Sequence, residues 1–321
     1  MNPYVFLVGC LRSGTTLLQR IVGAHPEIAV IPEMQWVPQW WERRVAVTED
    51  GTVTPELVRK LVRHRRFNRL EVEATRIADL ICDDERKHYG RFVTEVFDLH
   101  GEVKGKRLVG EKSPGYVRHL PTLSELWPDA KVVHLIRDGR DVALSVRDWK
   151  KGESTVGRFP TWEEDPVTTI GLWWEWHVRL GREAATKLGP HRYHEVCYEA
   201  LVTDPELECA NLAHFLGVPY DAAMLRFHEG RTRSKPGLGS KAAWLPVTAG
   251  LRSWREQMNG TDVERFEAAA GRLLDELGYS HADHAISGDE LERAARLRRA
   301  FADHVRSRMR PVPAEWRSVV A

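Results

Sequence analysis

Tyr4-Val5-Phe6-Leu7-Val8-Gly9-Cys10-Leu11-Arg12-Ser13-Gly14-Thr15-Thr16 strings together a β-prone apolar run, a glycine-bounded turn and a pair of hydroxyls. Five successive apolar residues without alternation suit a strand buried on both faces of a parallel sheet. From Thr15 to Ala24 the apolar residues Leu17, Leu18, Ile21 and Val22 recur at helical spacing, and His25-Pro26 ends the segment, because proline disfavours helix in the residue before it. The turn between strand and helix has the spacing G-x-x-x-x-G of a phosphate-binding loop. In such a loop backbone N–H groups and the helix N-terminus surround an anion, and the glycines allow the turn and a close approach. Arg12, Ser13, Gly14, Thr15 and Thr16 are therefore the first candidate anion ligands. The lysine that ATP and GTP hydrolases place after the second glycine is Thr15 here, and the positive charge sits inside the loop at Arg12. A guanidinium there can grip a 5′ group bidentately where no magnesium-bound γ-phosphate has to be held.

Further short β-prone runs follow at Ile28 to Ile31, Arg107 to Gly110, Lys131 to Ile136 and Arg192 to Cys197, with helical patterns between them. The alternation predicts an α/β fold, a P-loop-type parallel sheet flanked by helices with its ligand site at the carboxyl ends of the strands. One domain is expected over residues 1–321. Residues 36–105, helical in pattern at Pro55 to Phe67 and Val72 to Cys82, read as an insertion that caps the acceptor side. Lys150 to Pro166 reads as an irregular, mobile lid, Trp173, Trp174 and Trp176 as core packing, and the segments Asp262 to Leu277 and Asp289 to Arg308 as C-terminal helices.

Arg12-Ser13-Gly14-Thr15-Thr16 resembles the 5′-phosphosulfate loop of sulfotransferases that use 3′-phosphoadenosine 5′-phosphosulfate (PAPS). The tyrosylprotein and bacterial branches, with Arg in the loop and a helix ending in His-Pro, are the most similar. The resemblance implies PAPS as donor, its 3′,5′-bisphosphate (PAP) as product, and a second basic site for the 3′-phosphate. Arg137, at the end of the strongest predicted strand, with Asp138 or Asp141 capping the next helix and Ser145 within it, is similar to that second site. Lys241 and Arg252 fall where the family closes a basic loop over the nucleotide, and Tyr198 matches a position near it. A surface ion pair between Arg137 and Asp138 or Asp141, and a purely structural Tyr198, are the alternatives.

For chemistry the resemblance implies a base on the acceptor and positive charge at the leaving phosphosulfate. Glu33 matches the catalytic glutamate of the tyrosylprotein branch and Lys112 its active-site lysine, with Glu111 as the alternative base; Gln35 stands where that branch has Arg. His134, mid-strand, reads as a core residue. Trp36, Trp40 and Trp41 could line an aromatic acceptor pocket or simply pack, and Arg63-His64-Arg65-Arg66 reads as a solvated basic turn, with an acidic acceptor as the alternative.

Composition sets the outer limits. With 47 Lys plus Arg against 46 Asp plus Glu, the formal net charge of +1 gives no global field for nucleic acid. The N-terminal apolar run is too short to span a membrane, and the four cysteines lack close pairing, so a cytoplasmic protein without metal or disulfides is expected. The acceptor is left open among small-molecule, carbohydrate, lipid and peptide nucleophiles, as is a homodimer. A P-loop kinase for small molecules and a catalytically inactive nucleotide-binding module are the rival readings.

Overall fold

Five strands build the centre of the molecule: β1 (Val5–Gly9), β2 (Ile28–Pro32), β3 (Leu108–Lys112), β4 (Lys131–Ile136) and β5 (Tyr193–Cys197). The computed structural model describes residues 2–82, 86–229, 245–283 and 285–308. The sheet order is β2-β3-β1-β4-β5 with every pair parallel. β1 and β3 are buried along their whole length, as the unbroken apolar run of β1 requires.

The register decides where the chemistry falls. Leu7 and Pro32 both lie opposite Lys112, Gly9 opposite Leu135, and Ile136 opposite Cys197. Consequently the residues that follow the strands, Cys10 to Gly14, Glu33, Ser113, Arg137 and Tyr198, emerge along one edge of the sheet.

Helix α1 (Thr15–Ala24) follows the loop with the predicted limits. The insertion is helical, as expected, with α2 (Val37–Glu42), α3 (Pro55–Val62), α4 (Ala74–Asp79) and α5 (Tyr89–Lys104). Phe92, Val96 and Phe97 of α5 pack with Phe6, Val8, Ile31 and Val109 in one core, so the insertion buries one face of the sheet. Leu18, Ile21 and Val22 of α1 cover the other face, against Val5, Leu7, Val133 and Leu135. Beyond α6 (Leu120–Leu126) come α7 (Gly139–Arg147), α8 (Gly152–Val156), α9 (Pro166–Leu188), α10 (Tyr198–Thr203), α11 (Pro205–Leu216), α12 (Trp254–Gln257), α13 (Gly260–Glu276) and α14 (Gly288–Arg308). Trp173 and Trp174 of α9 pack with Phe266 of α13, which bears out the core reading of those tryptophans.

The irregular lid is corrected. Residues 150–166 contain α8 and a 3-10 turn at Pro160–Trp162. Val156 and Phe159 are buried there, and Phe159 stacks on Phe301 of α14 with ring centroids 4.5 Å apart. Apolar anchors outweigh the Gly, Pro and Ser content that suggested a loose segment.

The loop after β4 is tied to α13 through charge. Asp138 caps α7 by accepting the Arg140 N–H, and Arg140, 1% exposed, pairs with Asp138 at 2.7 Å and Glu267 at 2.6 Å. Its guanidinium also lies 3.7 Å over the Trp254 ring. Breaking a buried cluster of this kind strands the remaining charges. Arg140→Met, which leaves two carboxylates without their cation, is expected to cost about 3 kcal/mol or more in urea denaturation. A loss under about 1 kcal/mol would mean that the cluster does not hold the loop.

Candidate active site

Gly9 (φ 152°), Arg12 (φ 74°) and Gly14 (φ 99°) give the loop after β1 its shape. A Cβ at Gly14 would lie 2.6 Å from two ring carbons of Tyr198, so glycine is required there by both backbone and space. The Ser13 side chain is buried and its Oγ has no partner among the described residues. A buried hydroxyl at a turn of this geometry, beside the start of α1, fits an anion oxygen.

Four arginines, Arg12, Arg20, Arg137 and Arg252, line a cavity of about 490 Å³ together with Gly14, Thr15, Thr16, Glu33, Ser145 and Tyr198 among others. Arg12 donates from Nε to Ser145 Oγ (3.1 Å) and lies 5.4 Å over the Trp149 ring. Arg137 donates to Asp141 Oδ2 (3.0 Å), sits 4.3 Å over the Tyr198 ring, and keeps a buried Nε without a partner among the described residues. Arg252 pairs with Asp148 at 2.9 Å. Burial lowers the Arg12 pKa from its ordinary value, and the Arg252 and Arg137 charges lower it further. Mutual repulsion among cations is relieved by a ligand carrying several negative charges. The Arg137–Asp141 ion pair weighed from the sequence does form, yet Asp141 also accepts the Trp254 N–H (2.8 Å), and Arg137 still faces the cavity. Ser145 lines the same cavity as Arg137, and its hydroxyl accepts from Arg12. Lys241 lies outside the described residues.

At the other end of the cavity the Glu33 carboxylate accepts from Lys112 Nζ at 2.6 Å, with Arg66 4.0 Å from its second oxygen. Arg69 donates to the carbonyls of Pro32 (3.1 Å) and Glu33 (3.0 Å), and Arg66 also donates to the Glu33 carbonyl. Burial alone would raise the Glu33 pKa. The charge and hydrogen bond of Lys112, backed by Arg66 and Arg69, outweigh it, and the net shift is downward. Burial lowers the Lys112 pKa, against the pull of Glu33.

Glu111 has a different environment. It is fully buried, accepts from the Met34 N–H (2.8 Å) and Ser113 Oγ (2.6 Å), and does not line the cavity. Its place is behind the turn that carries Glu33, whose backbone, like that of Gln35, takes a positive φ (34° and 66°).

Several features escaped the sequence reading. Arg66 and Arg69 hydrogen-bond the Glu33 turn, so within the Arg63-His64-Arg65-Arg66 stretch Arg66 departs from the solvated reading while Arg63 and Arg65 are exposed. Trp149, two residues beyond the end of α7, lies under the Arg12 guanidinium and has no signal in the sequence pattern. Trp36 and Trp41 are buried and pack around Tyr89, and the partly buried Trp40 packs on Trp36 with ring centroids 4.8 Å apart. His134 is a core residue, hydrogen-bonded to the Tyr193 hydroxyl. Among the described residues no group of three or more His, Cys, Asp or Glu side chains is placed to hold a metal ion, and no helix is long and apolar enough to cross a membrane.

Comparison with known proteins bears directly on this geometry. The sulfotransferase family profile matches residues 3–222. Protein-tyrosine sulfotransferase 2 of Gallus gallus is 26% identical over 285 residues, covering 86% of this chain and 69% of that protein. Protein-tyrosine sulfotransferase 1 of Danio rerio is 27% identical over 296 residues, covering 88% and 74%. In fold the chain is similar to a solved sulfotransferase domain from the curacin biosynthetic pathway, with a TM-score of 0.53 and 21% identity over 91% of this chain and 96% of that one. The chain belongs to the sulfotransferase family. It is an enzyme that transfers a sulfuryl group from PAPS to an acceptor, and the kinase and inactive-module readings are set aside.

The buried carboxyl of Glu111 supplies a test of the site's electrostatics. Burial pushes its pKa up to about 7, although the hydrogen bonds from Ser113 and Met34 work the other way. The folded value then lies above the unfolded one, so folded protein holds the extra proton, and this contribution to stability, complete below the unfolded pKa, is lost as pH rises through about 7. Glu111→Gln removes that dependence. Relative to wild type, the variant should gain up to about 3 kcal/mol in urea denaturation between pH 5 and 8. A difference that stays flat across the range would show that Glu111 does not titrate there.

Proposed function

We propose that Glu33 is the general base of sulfuryl transfer and that Arg12 and Lys112 stabilise the charge that develops on the phosphosulfate. The acceptor O–H would lose its proton to a Glu33 carboxylate oxygen as its oxygen bonds to sulfur, while the sulfur–oxygen bond to the 5′-phosphate breaks and PAP leaves. Ser13, Gly14, Thr15 and Thr16 would hold the 5′ group, and Arg137, Ser145, Tyr198 and Arg252 the 3′-phosphate and nucleoside, with Lys241 assigned to the same role on its sequence alone. The observation that carries this reading is the 2.6 Å contact of Glu33 with Lys112, beside a cavity lined by Arg12, Arg20, Arg137 and Arg252.

For the acceptor, the reading is a phenolic hydroxyl such as the tyrosine side chain of a peptide, supported by the protein-tyrosine sulfotransferases to which the chain is similar. A phenol ionises more readily than a sugar or lipid alcohol and suits a carboxylate whose basicity is already reduced by Lys112. Site of action is read as the cytoplasm, supported by four free cysteines, two of them exposed.

Glu33→Gln should lower kcat by about 10²- to 10⁴-fold and leave PAP affinity in calorimetry nearly unchanged. Equal loss of both, or of neither, would remove Glu33 from the role. Transfer of labelled sulfate from PAPS to a tyrosine peptide, a free phenol, a sugar and a lipid alcohol tests the acceptor class, and turnover only of the last two would overturn the phenol reading.

A further inference from the structure

A second cleft, about 920 Å³ in volume, shares no lining residue with the PAPS cavity. Its walls are the end of α2, the Arg118-His119 turn before α6, the Arg158-Phe159 stretch after α8, Trp176 of α9 and the end of α14. Charge is unevenly distributed there. Five arginines, Arg43, Arg44, Arg118, Arg158 and Arg308, face two carboxylates, Glu42 and Glu125, in a protein whose formal net charge is only +1.

One of those carboxylates is already engaged, since Glu42 Oε1 accepts from His119 Nδ1 (2.7 Å) and Thr122 Oγ1 (2.7 Å). None of the five arginines forms an ion pair with a carboxylate among the described residues, although the Glu42 charge acts on Arg118 from farther off. Elsewhere in the same region the pattern is opposite: Arg265, Arg293, Arg296 and Arg298 each pair with an acidic side chain.

Arg118 is the innermost of the five. Its guanidinium lies 5.8 Å over the Trp176 ring, and its only hydrogen bond to a described residue is a long one, from Nε to the Gly115 carbonyl (3.4 Å). Among the described residues the two NH₂ groups of this half-buried side chain have no hydrogen-bond acceptor. Burial, then the Arg158 charge, bring its pKa down to about 10, so it stays cationic at neutral pH while standing in an environment that disfavours the charge. Phe159, Trp176 and His304 supply flat walls beside it, with Phe159 5.3 Å from His304 and 6.3 Å from Trp176 between ring centroids.

We propose that this cleft is a second ligand site, for an organic anion whose carboxylate, phosphate or sulfate group is held by Arg118 and whose flat apolar body lies against Trp176 and His304. A planar guanidinium with free paired donors matches such groups bidentately, and the outer arginines add attraction at the rim. Both α2 and the Arg118 turn run directly out of the catalytic edge, from Glu33 and from Lys112. The anion therefore has two sources, an acidic portion of the acceptor or a free small molecule.

The test uses pyrene tetrasulfonate, a flat fluorescent polyanion, titrated into protein saturated with adenosine 3′,5′-bisphosphate and followed by anisotropy. Saturable binding is expected, weakened about tenfold or more by Arg118→Met and severalfold by Arg158→Ser, with Arg59→Ser binding like wild type. Arg158 is exposed, so its variant keeps the test open if Arg118→Met fails to fold. Affinity that is the same in both cleft variants as in wild type, or that is lost equally in Arg59→Ser, would overturn the proposal. In turnover assays a dye that raises the acceptor KM places the acceptor's acidic portion in the cleft. One that leaves the acceptor KM alone assigns it to a free anion.

Discussion

Like charges held close together in a half-buried cavity repel, and this structure must keep Arg12, Arg137 and Arg252 there before any ligand arrives. It does so with a few modest partners: Ser145 and the Trp149 face for Arg12, Asp141 and the Tyr198 face for Arg137, Asp148 for Arg252. These contacts fix direction without full neutralisation. The residual repulsion becomes binding energy for a nucleotide with negative charge at both its 5′ and 3′ ends. Everything else in the fold serves this convergence, beginning with the parallel register that delivers all the strand ends to one edge, and continuing with the buried Arg140 cluster that fixes the turn after β4.

Two neighbouring carboxylates illustrate how environment divides labour. Glu33 and Glu111 both lie beside Lys112, one across the β2–β3 pair and one preceding it in sequence. Glu33 faces the cavity among cations and is held ionised. Glu111 lies in the interior against Met34, Ser113 and the Tyr116 ring, where burial favours its neutral form. From sequence Glu33 is the first candidate base and Glu111 the alternative, and their surroundings separate a cavity-facing group from one that shapes the turn.

Much of the fold was legible because the decisive signals are local. The apolar runs of β1 and β4 and the helical period of Thr15 to Ala24 gave nearly the observed limits, and the glycine spacing placed the anion loop between them. The second cationic element could be read because its arginine directly follows the strongest strand. What stayed hidden depends on contacts between distant segments. Arg66 and Arg69 look like part of a solvated charge run until α3 and its following turn fold back onto β2, and Phe159 looks like a loop residue until α14 arrives to stack on it. The pairing of Ser145 with Arg12 likewise needs β1 and β4 to be neighbours, a fact of sheet order that no local pattern carries.

The close approach of Gly14 to the Tyr198 ring joins the first loop of the chain to the outermost strand of the sheet. β5 is an edge strand with only β4 beside it, the kind of element that opens first when a sheet loosens. Because Tyr198 begins the helix directly after it, fraying at that margin withdraws the wall against which the anion loop is moulded. Local stability at the periphery and tightness of nucleotide grip in the centre are thus set by the same aromatic side chain, and neither can drift without the other.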